Sequence, residues 1–160
     1  MLVTNSELLE LSIKIEREGQ RFYGELAKHV DDPKVQEFLQ LMAKEEAAHE
    51  MHFKKMLETD IDYGWDSNDD LQKLIEEKFQ TDIFPPIHEV VQQLPTIGGI
   101  EKALDFAMDA ERIVGEFFRL LHNSCNDIEI KTLLTVLEKS ESEHLERVKA
   151  FKTRFLNDSN

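Results

Sequence analysis

Ala43-Lys44-Glu45-Glu46-Ala47-Ala48-His49-Glu50 decides the fold, because two of its polar residues continue an apolar stripe. Val35, Phe38, Leu39 and Met42 precede it, and Phe53, Met56 and Leu57 follow, at the spacing of one helix face. Glu46 and His49 fall on that face and are expected to point into a core. A carboxylate and an imidazole there are costly unless something pairs with them.

Outward from this stretch the chain reads as two long helical hairpins. Thr4-Asn5-Ser6-Glu7 has capping-box spacing and opens a first helix. Its inner stripe is Leu9, Ile13, Glu16, Gln20, Tyr23, Ala27 and Val30, again with a glutamate on the apolar face. Asp31-Asp32-Pro33 breaks that helix and starts the second, with Asp32 as N-cap and Pro33 at the first helical position. The first hairpin spans about residues 5–58. Residues 60–98 are a crossover: Ile61–Asp66 reads as loop, Ser67-Asn68-Asp69-Asp70 caps a short helix through about Phe79, and Pro85-Pro86, Pro95 and Gly98-Gly99 punctuate an irregular stretch. The second hairpin, about 100–156, carries Leu104, Ala107, Met108, Glu111, Val114, Phe118 and Leu121 inward on one helix. After a break at His122–Asp127 it carries Ile130, Leu134, Leu137, Glu141, His144, Val148, Phe151 and Phe155 on the other. The expectation is one all-α domain over residues 1–160, a four-helix bundle of two hairpins joined by a long crossover.

The two hairpins are copies of one another. Glu16, Glu46 and His49 return 95 residues later as Glu111, Glu141 and His144. Phe22 matches Phe117, Leu26 matches Leu121, and Leu39 matches Leu134 at the same offset. From either glutamate of a hairpin to its turn is about fourteen residues, roughly 21 Å at 1.5 Å per residue. Each pair of carboxylates therefore ends level across its hairpin, and packing the hairpins face to face gathers four carboxylates and two imidazoles at one height.

Electrostatics says what fills such a cluster. Four buried carboxylates without counterions repel and take up protons. Two divalent cations neutralise them while both histidines stay neutral as ligands. Oxygen-rich ligation with two imidazoles suits iron or manganese; zinc is compatible, and calcium is disfavoured. A glutamate from each of two helices plus Glu-x-x-His from each of the other two is the di-iron or di-manganese bundle pattern. Glu16, Glu46, His49, Glu111, Glu141 and His144 are thus the candidate metal ligands and catalytic residues.

Composition bounds the alternatives. A net charge of -14 argues against nucleic acid or an anionic membrane surface as partner. No apolar run is long enough to span a bilayer, and Met1–Glu7 lacks the basic and apolar regions of a signal peptide, so a cytoplasmic protein is expected. The lone Cys125 cannot form an internal disulfide or a thiolate-rich metal site, and reads as an inert thiol. His52 aligns with Arg147 in the repeat and belongs on an outer face. His29, His88 and His122 read as surface residues near helix ends and loops. Glu18, Glu45, Glu116 and Glu143 read most simply as solvated helix faces, though any of them could support a metal ligand from behind. Tyr23 stays on the inner face, where it can reach a ligand carboxylate or simply pack.

Together, Glu16 with Tyr23, Glu46-x-x-His49, Glu111 and Glu141-x-x-His144 resemble the ferritin-like superfamily, most closely its rubrerythrin-related branch. The stretch Lys14-Ile15-Glu16-Arg17-Glu18-Gly19-Gln20-Arg21-Phe22-Tyr23 is similar to the first-helix pattern of that branch. The resemblance implies two iron ions per chain, reaction with hydrogen peroxide or dioxygen, and a homo-oligomer, with a dimer favoured. Glu46 and Glu141 would bridge the metals. Val114 stands where rubrerythrins usually have a further ligand glutamate, and Phe118 where a second inner tyrosine is expected. One cysteine cannot build a rubredoxin-like iron centre, so reducing electrons are expected from a separate donor protein. Two other readings stay open: a ferroxidase and iron-storage subunit of an assembly, or a catalytically silent metal-bound bundle that serves a partner.

Overall fold

The computed structural model describes residues 4–59, 61–95 and 99–158. Among them are six helices: α1 (Asn5–Lys28), α2 (Pro33–Glu58), α3 (Asp69–Lys78), α4 (Ile87–Gln93), α5 (Gly99–Ser124) and α6 (Ile128–Asp158). The fold is all-α and ferritin-like. Helices α1 and α2 pair as one hairpin, α5 and α6 as the other, and the crossover with α3 and α4 joins them.

Local chemistry sets the helix starts. Thr4 Oγ1 accepts from the Glu7 backbone at 3.1 Å while Glu7 returns to the Thr4 N–H at 2.8 Å, completing the capping box. Asp32 Oδ1 accepts from Lys34 N at 2.8 Å, with Pro33 opening α2. Asn68 caps α3 and Asp127 caps α6 through the Leu71 and Ile130 backbones, both at 3.0 Å. Helix α5 runs on through Ser124, so the second turn is only Cys125–Asp127, tighter than the break expected at His122. The Ser124 hydroxyl donates to Leu120 O at 2.8 Å, which lets a polar residue remain in a buried last turn.

The loop after α2 is pinned to that same turn. Trp65 and Cys125 form an isolated antiparallel bridge, and Asn126 N donates to Gly64 O at 2.8 Å. Gly64 has φ 69°, the left-handed conformation that glycine adopts without strain. Trp65 Nε1 donates to Asn5 Oδ1 at 2.7 Å, so the loop also holds the start of α1. Gly99 marks a second close approach: a Cβ there would meet the backbone of Gln93 and Leu94, where α4 hands over to α5.

The crossover lies along one flank of the bundle. Helix α3 packs on α5, and α4 packs on both α1 and α5. Phe79 meets Phe117 at 4.9 Å between ring centroids, and Phe84 meets Phe22 at 5.3 Å and Tyr23 at 5.9 Å. The stretch expected to be irregular thus contains the two-turn helix α4, which packing stabilises despite its short length. Residues 60 and 96–98 of the crossover lie outside the described residues, as does the side chain of Phe155.

The expected stripes are buried, with Phe38, Leu57, Met108 and Phe151 half-buried at their edges, and one position needs correction. Gln20 is exposed, and Gly19 is buried instead. Phe84 covers the flank of α1 beside Gly19 and Phe22, which displaces the buried arc toward Ser12, Ile15 and Gly19 and leaves Gln20 at its solvent edge. Among the described residues, no helix is long and apolar enough to cross a membrane.

Candidate metal centre

All six residues singled out in the sequence are buried, and the structure brings them together at mid-bundle. They form two overlapping groups, Glu16–Glu46–His49–Glu141 and Glu46–Glu111–Glu141–His144. In each group the four donor atoms lie within 4.8 Å of one another. Glu46 and Glu141 belong to both. The two imidazoles lie 5.8 Å apart and are nearly parallel, at 19°.

Both histidines turn the same nitrogen inward. His49 Nδ1 lies 3.2 Å from Glu141 Oε1 and 3.4 Å from Glu16 Oε2. His144 Nδ1 lies 2.8 Å from Glu46 Oε1, 3.6 Å from Glu141 Oε2 and 3.8 Å from Glu111 Oε1. The outward nitrogens are held from the opposite hairpin. His49 Nε2 meets Ser140 Oγ at 3.1 Å, and His144 Nε2 meets Glu45 Oε2 in a short contact. Glu45 is in turn gripped by the two terminal guanidinium nitrogens of Arg147, at 3.2 Å and 2.5 Å. Tyr23 donates its hydroxyl to Glu111 Oε1 at 2.7 Å, so it does reach a ligand carboxylate. His52 is exposed, as its repeat partner indicated.

Two residues assigned to solvated faces do more. Glu45 orients His144, as above. Glu18 accepts from the backbone N–H groups of Ile83 and Phe84, at 2.6 Å and 3.4 Å, and so fastens the crossover over Gly19 and Tyr23. These contacts span 65 to 99 residues of sequence, beyond the reach of a periodicity argument.

The electrostatics are those of a cation site. Burial, then repulsion from Glu46 and Glu141, raises Glu16 well above the usual carboxylate range. Burial and the neighbouring Glu141 push Glu111 up to about 8. Burial opposes charge on His144, but its contacts with Glu111, Glu141 and Glu46 outweigh that and raise it. Glu141 is pushed up by burial and by Glu46, yet its contacts with Glu111, His144 and His49 hold it below the ordinary value. Tyr23 is raised by burial and by Glu111, so it remains a hydrogen-bond donor at neutral pH. Without metal, protons and the His144 cation balance the carboxylates; divalent ions would replace them.

The donor atoms themselves test the fit. Both Glu16 oxygens, Glu111 Oε2 and Glu141 Oε2 are buried with no hydrogen-bond partner. An unmet buried polar group costs about 1–3 kcal/mol, so four carboxylate oxygens converging on one site call for something they can bind together. Two groups of carboxylates and an imidazole sharing two glutamates fit a pair of iron ions or related divalent metals.

Gly19 makes room for this arrangement. A Cβ there would stand 2.7 Å from Glu46 Oε2 and 3.3 Å from Phe84 Cε2. Helix propensity favours alanine over glycine by up to about 1 kcal/mol. Gly19→Ala is therefore expected to weaken metal binding about tenfold or more by displacing a shared carboxylate, while crowding against Phe84 offsets the propensity gain and the metal-free protein changes by no more than about 2 kcal/mol. Melting curves and calorimetric metal titration check both halves; unchanged affinity would show that Glu46 shifts without cost.

Comparison with known proteins accords with this geometry. A solved structure from Thermotoga maritima, described as a ferritin-like diiron-carboxylate protein, superposes with a TM-score of 0.73 at 20% identity. The match covers 94% of this chain and 95% of that one, and shows a shared fold. No curated protein matches the sequence significantly. The sequence model of the Rubrerythrin family matches residues 7–152. On that match, over nearly all of the bundle, the chain belongs to the rubrerythrin family.

Proposed function

We infer that this chain is a di-iron oxidoreductase that reduces hydrogen peroxide or dioxygen. Glu16, Glu46, His49, Glu111, Glu141 and His144 would hold the metals, with Glu46 and Glu141 common to both positions. The observation that carries this reading is the sharing of two glutamates between two buried donor groups, in a chain of the rubrerythrin family. Two ferrous ions bound there supply the electron pair that, with two protons, converts peroxide to water. Zinc is set aside because redox work needs a metal that changes valence, which iron and manganese both do.

The remaining tasks fall to the protein. Tyr23 fixes one carboxylate oxygen of Glu111, so that residue presents its other oxygen to the metal. The crossover closes the flank between α1 and α5 with Phe84 beside Gly19. On the α2–α6 side, His49 keeps 11% side-chain exposure whereas His144 keeps 0%. A small oxidant enters on the His49 side, while the phenyl rings of Phe53 and Phe118, stacked at 5.5 Å, keep the interior dry. Resetting the site takes electrons from outside these 160 residues, since their one cysteine cannot hold a tetrathiolate iron centre. The family resemblance favours a homo-oligomer, most simply a dimer, which size-exclusion chromatography checks.

Anaerobic loading with two equivalents of ferrous iron, followed by stopped-flow mixing with peroxide, tests the reading. Oxidation within seconds supports it. Inertness toward both peroxide and dioxygen overturns it.

A further inference from the structure

The two halves repeat at the ligands but not behind them. Glu45 and Ser140 occupy equivalent positions of the repeat, each one residue before a shared glutamate. Each reaches across to the histidine of the other hairpin, on its Nε2. The equivalents are chemically unlike: a carboxylate behind His144, a hydroxyl behind His49. The next layer differs too. Arg147 clamps Glu45 with two nitrogens, while its repeat counterpart His52 is exposed. Tyr23 adds a hydrogen bond to Glu111 on the same side, where the counterpart Phe118 has no hydroxyl to give Glu16.

A ligating imidazole whose outer N–H donates to a carboxylate is fixed in tautomer and ring angle and becomes a stronger base. A hydroxyl partner can accept the same proton but carries no charge. Burial works in the same direction, because His144 is fully enclosed and His49 is not. Resting on the two-metal reading above, we propose that Glu45, held by Arg147, is a positioning residue for His144. It makes the Glu111–His144 position the tighter of the two, so the centre fills in order. The Glu16–His49 position is the weaker, exchangeable one, on the side open to solvent.

Anaerobic titration of the metal-free protein with cobalt(II), followed by visible absorption and calorimetry, tests this. The wild type is expected to show two steps separated about tenfold or more in affinity. Glu45→Gln keeps the side-chain length and an acceptor oxygen but removes the charge. It is expected to weaken the tighter step about 10- to 100-fold and leave the weaker one in place. Arg147→Met, which frees Glu45 without touching His144, should move the same step in the same direction by a smaller factor. Ser140→Ala should leave the tighter step unchanged.

A second readout separates positioning from general packing. In the cobalt-loaded protein with ¹⁵N-labelled histidine, the paramagnetically shifted Nε2 proton of His144 should exchange with solvent more slowly than that of His49. In Glu45→Gln the difference should close. If Glu45→Gln does not fold, Arg147→Met and the wild-type exchange rates decide the matter. Equal affinities in the wild type, or variants that shift both steps alike, would overturn the assignment and leave the two-metal reading standing. A wild type that takes up no cobalt, iron or manganese would overturn both.

Discussion

Glu141→Leu is expected to lose both metals, whereas Glu16→Leu keeps one. Glu141 and Glu46 each belong to both donor groups, while Glu16 and Glu111 belong to one each. Removing a shared carboxylate strips a donor and a negative charge from two cations at once, and the remaining residues then hold two positive ions against too little charge. After anaerobic iron loading and gel filtration, the Glu141→Leu protein should carry less than about half an iron per chain, against about two for wild type and about one for Glu16→Leu. His144→Ala should fall to about one, and the exposed His52→Ala should stay at about two. Removing Glu141 takes away one partner of the buried His49 and His144 imidazoles, which destabilises the metal-free chain as well. The metal-free Glu141→Leu chain should therefore melt below the metal-free wild type while keeping its helical circular dichroism, which separates loss of ligation from loss of fold. Equal losses from Glu16→Leu and Glu141→Leu would mean that the two metals sit independently, without shared ligands.

The six-residue cluster was legible in the sequence because its physics is local and repeated. A carboxylate on an apolar helix face is expensive, and six such residues at a common offset, level across two hairpins, leave few arrangements. The caps Thr4, Asp32 and Asn68 were legible for the same reason, being short-range hydrogen bonds of the backbone with a neighbouring side chain. What escaped depends on which flank of a helix the rest of the chain covers. Gln20 falls at a plausible inner position of α1, but the crossover presses on the opposite flank through Phe84, and no periodicity in residues 80–86 announces that.

The supporting residues escaped for a related reason. Glu45 sits beside Glu46 in an acidic run and looks solvated until α6 brings His144 and Arg147 against it, 99 and 102 residues away. Ser140 carries no signal of its own; only its counterpart in the repeat marks the position. The repeat therefore reports the clustered residues by what the two halves share, and the asymmetry around them by what differs. Tyr23 against Phe118, Glu45 against Ser140, and Arg147 against His52 all bias the same side of the centre.

Metal-free and metal-loaded protein should respond to pH in opposite directions. In the metal-free chain, Glu111 rises from an ordinary 4.5 to about 8, so between those values the folded state holds a proton the unfolded state has lost. Stability from such a group is complete below the unfolded value and drains away as pH rises through the folded one. Glu16 and His144 are raised as well and act with the same sign. Glu141 is lowered and acts with the opposite sign, its contribution being lost in acid. Three raised groups outweigh one, so the metal-free melting temperature should fall by about 5 °C or more between pH 5 and pH 8, at roughly 2–4 °C per kcal/mol for a chain of this size. The loaded protein should do the reverse, because ligation needs deprotonated carboxylates and neutral imidazoles; it should release metal and lose stability below about pH 5. Circular dichroism melts with and without chelator, at both pH values, measure the crossing. Glu111→Gln puts a neutral amide where the protonated carboxyl stood, facing the Tyr23 hydroxyl, and should flatten the metal-free slope. A metal-free protein that grows more stable from pH 5 to pH 8 would mean that the cluster carries its charge without protons, and that its carboxylates are not crowded as the geometry requires.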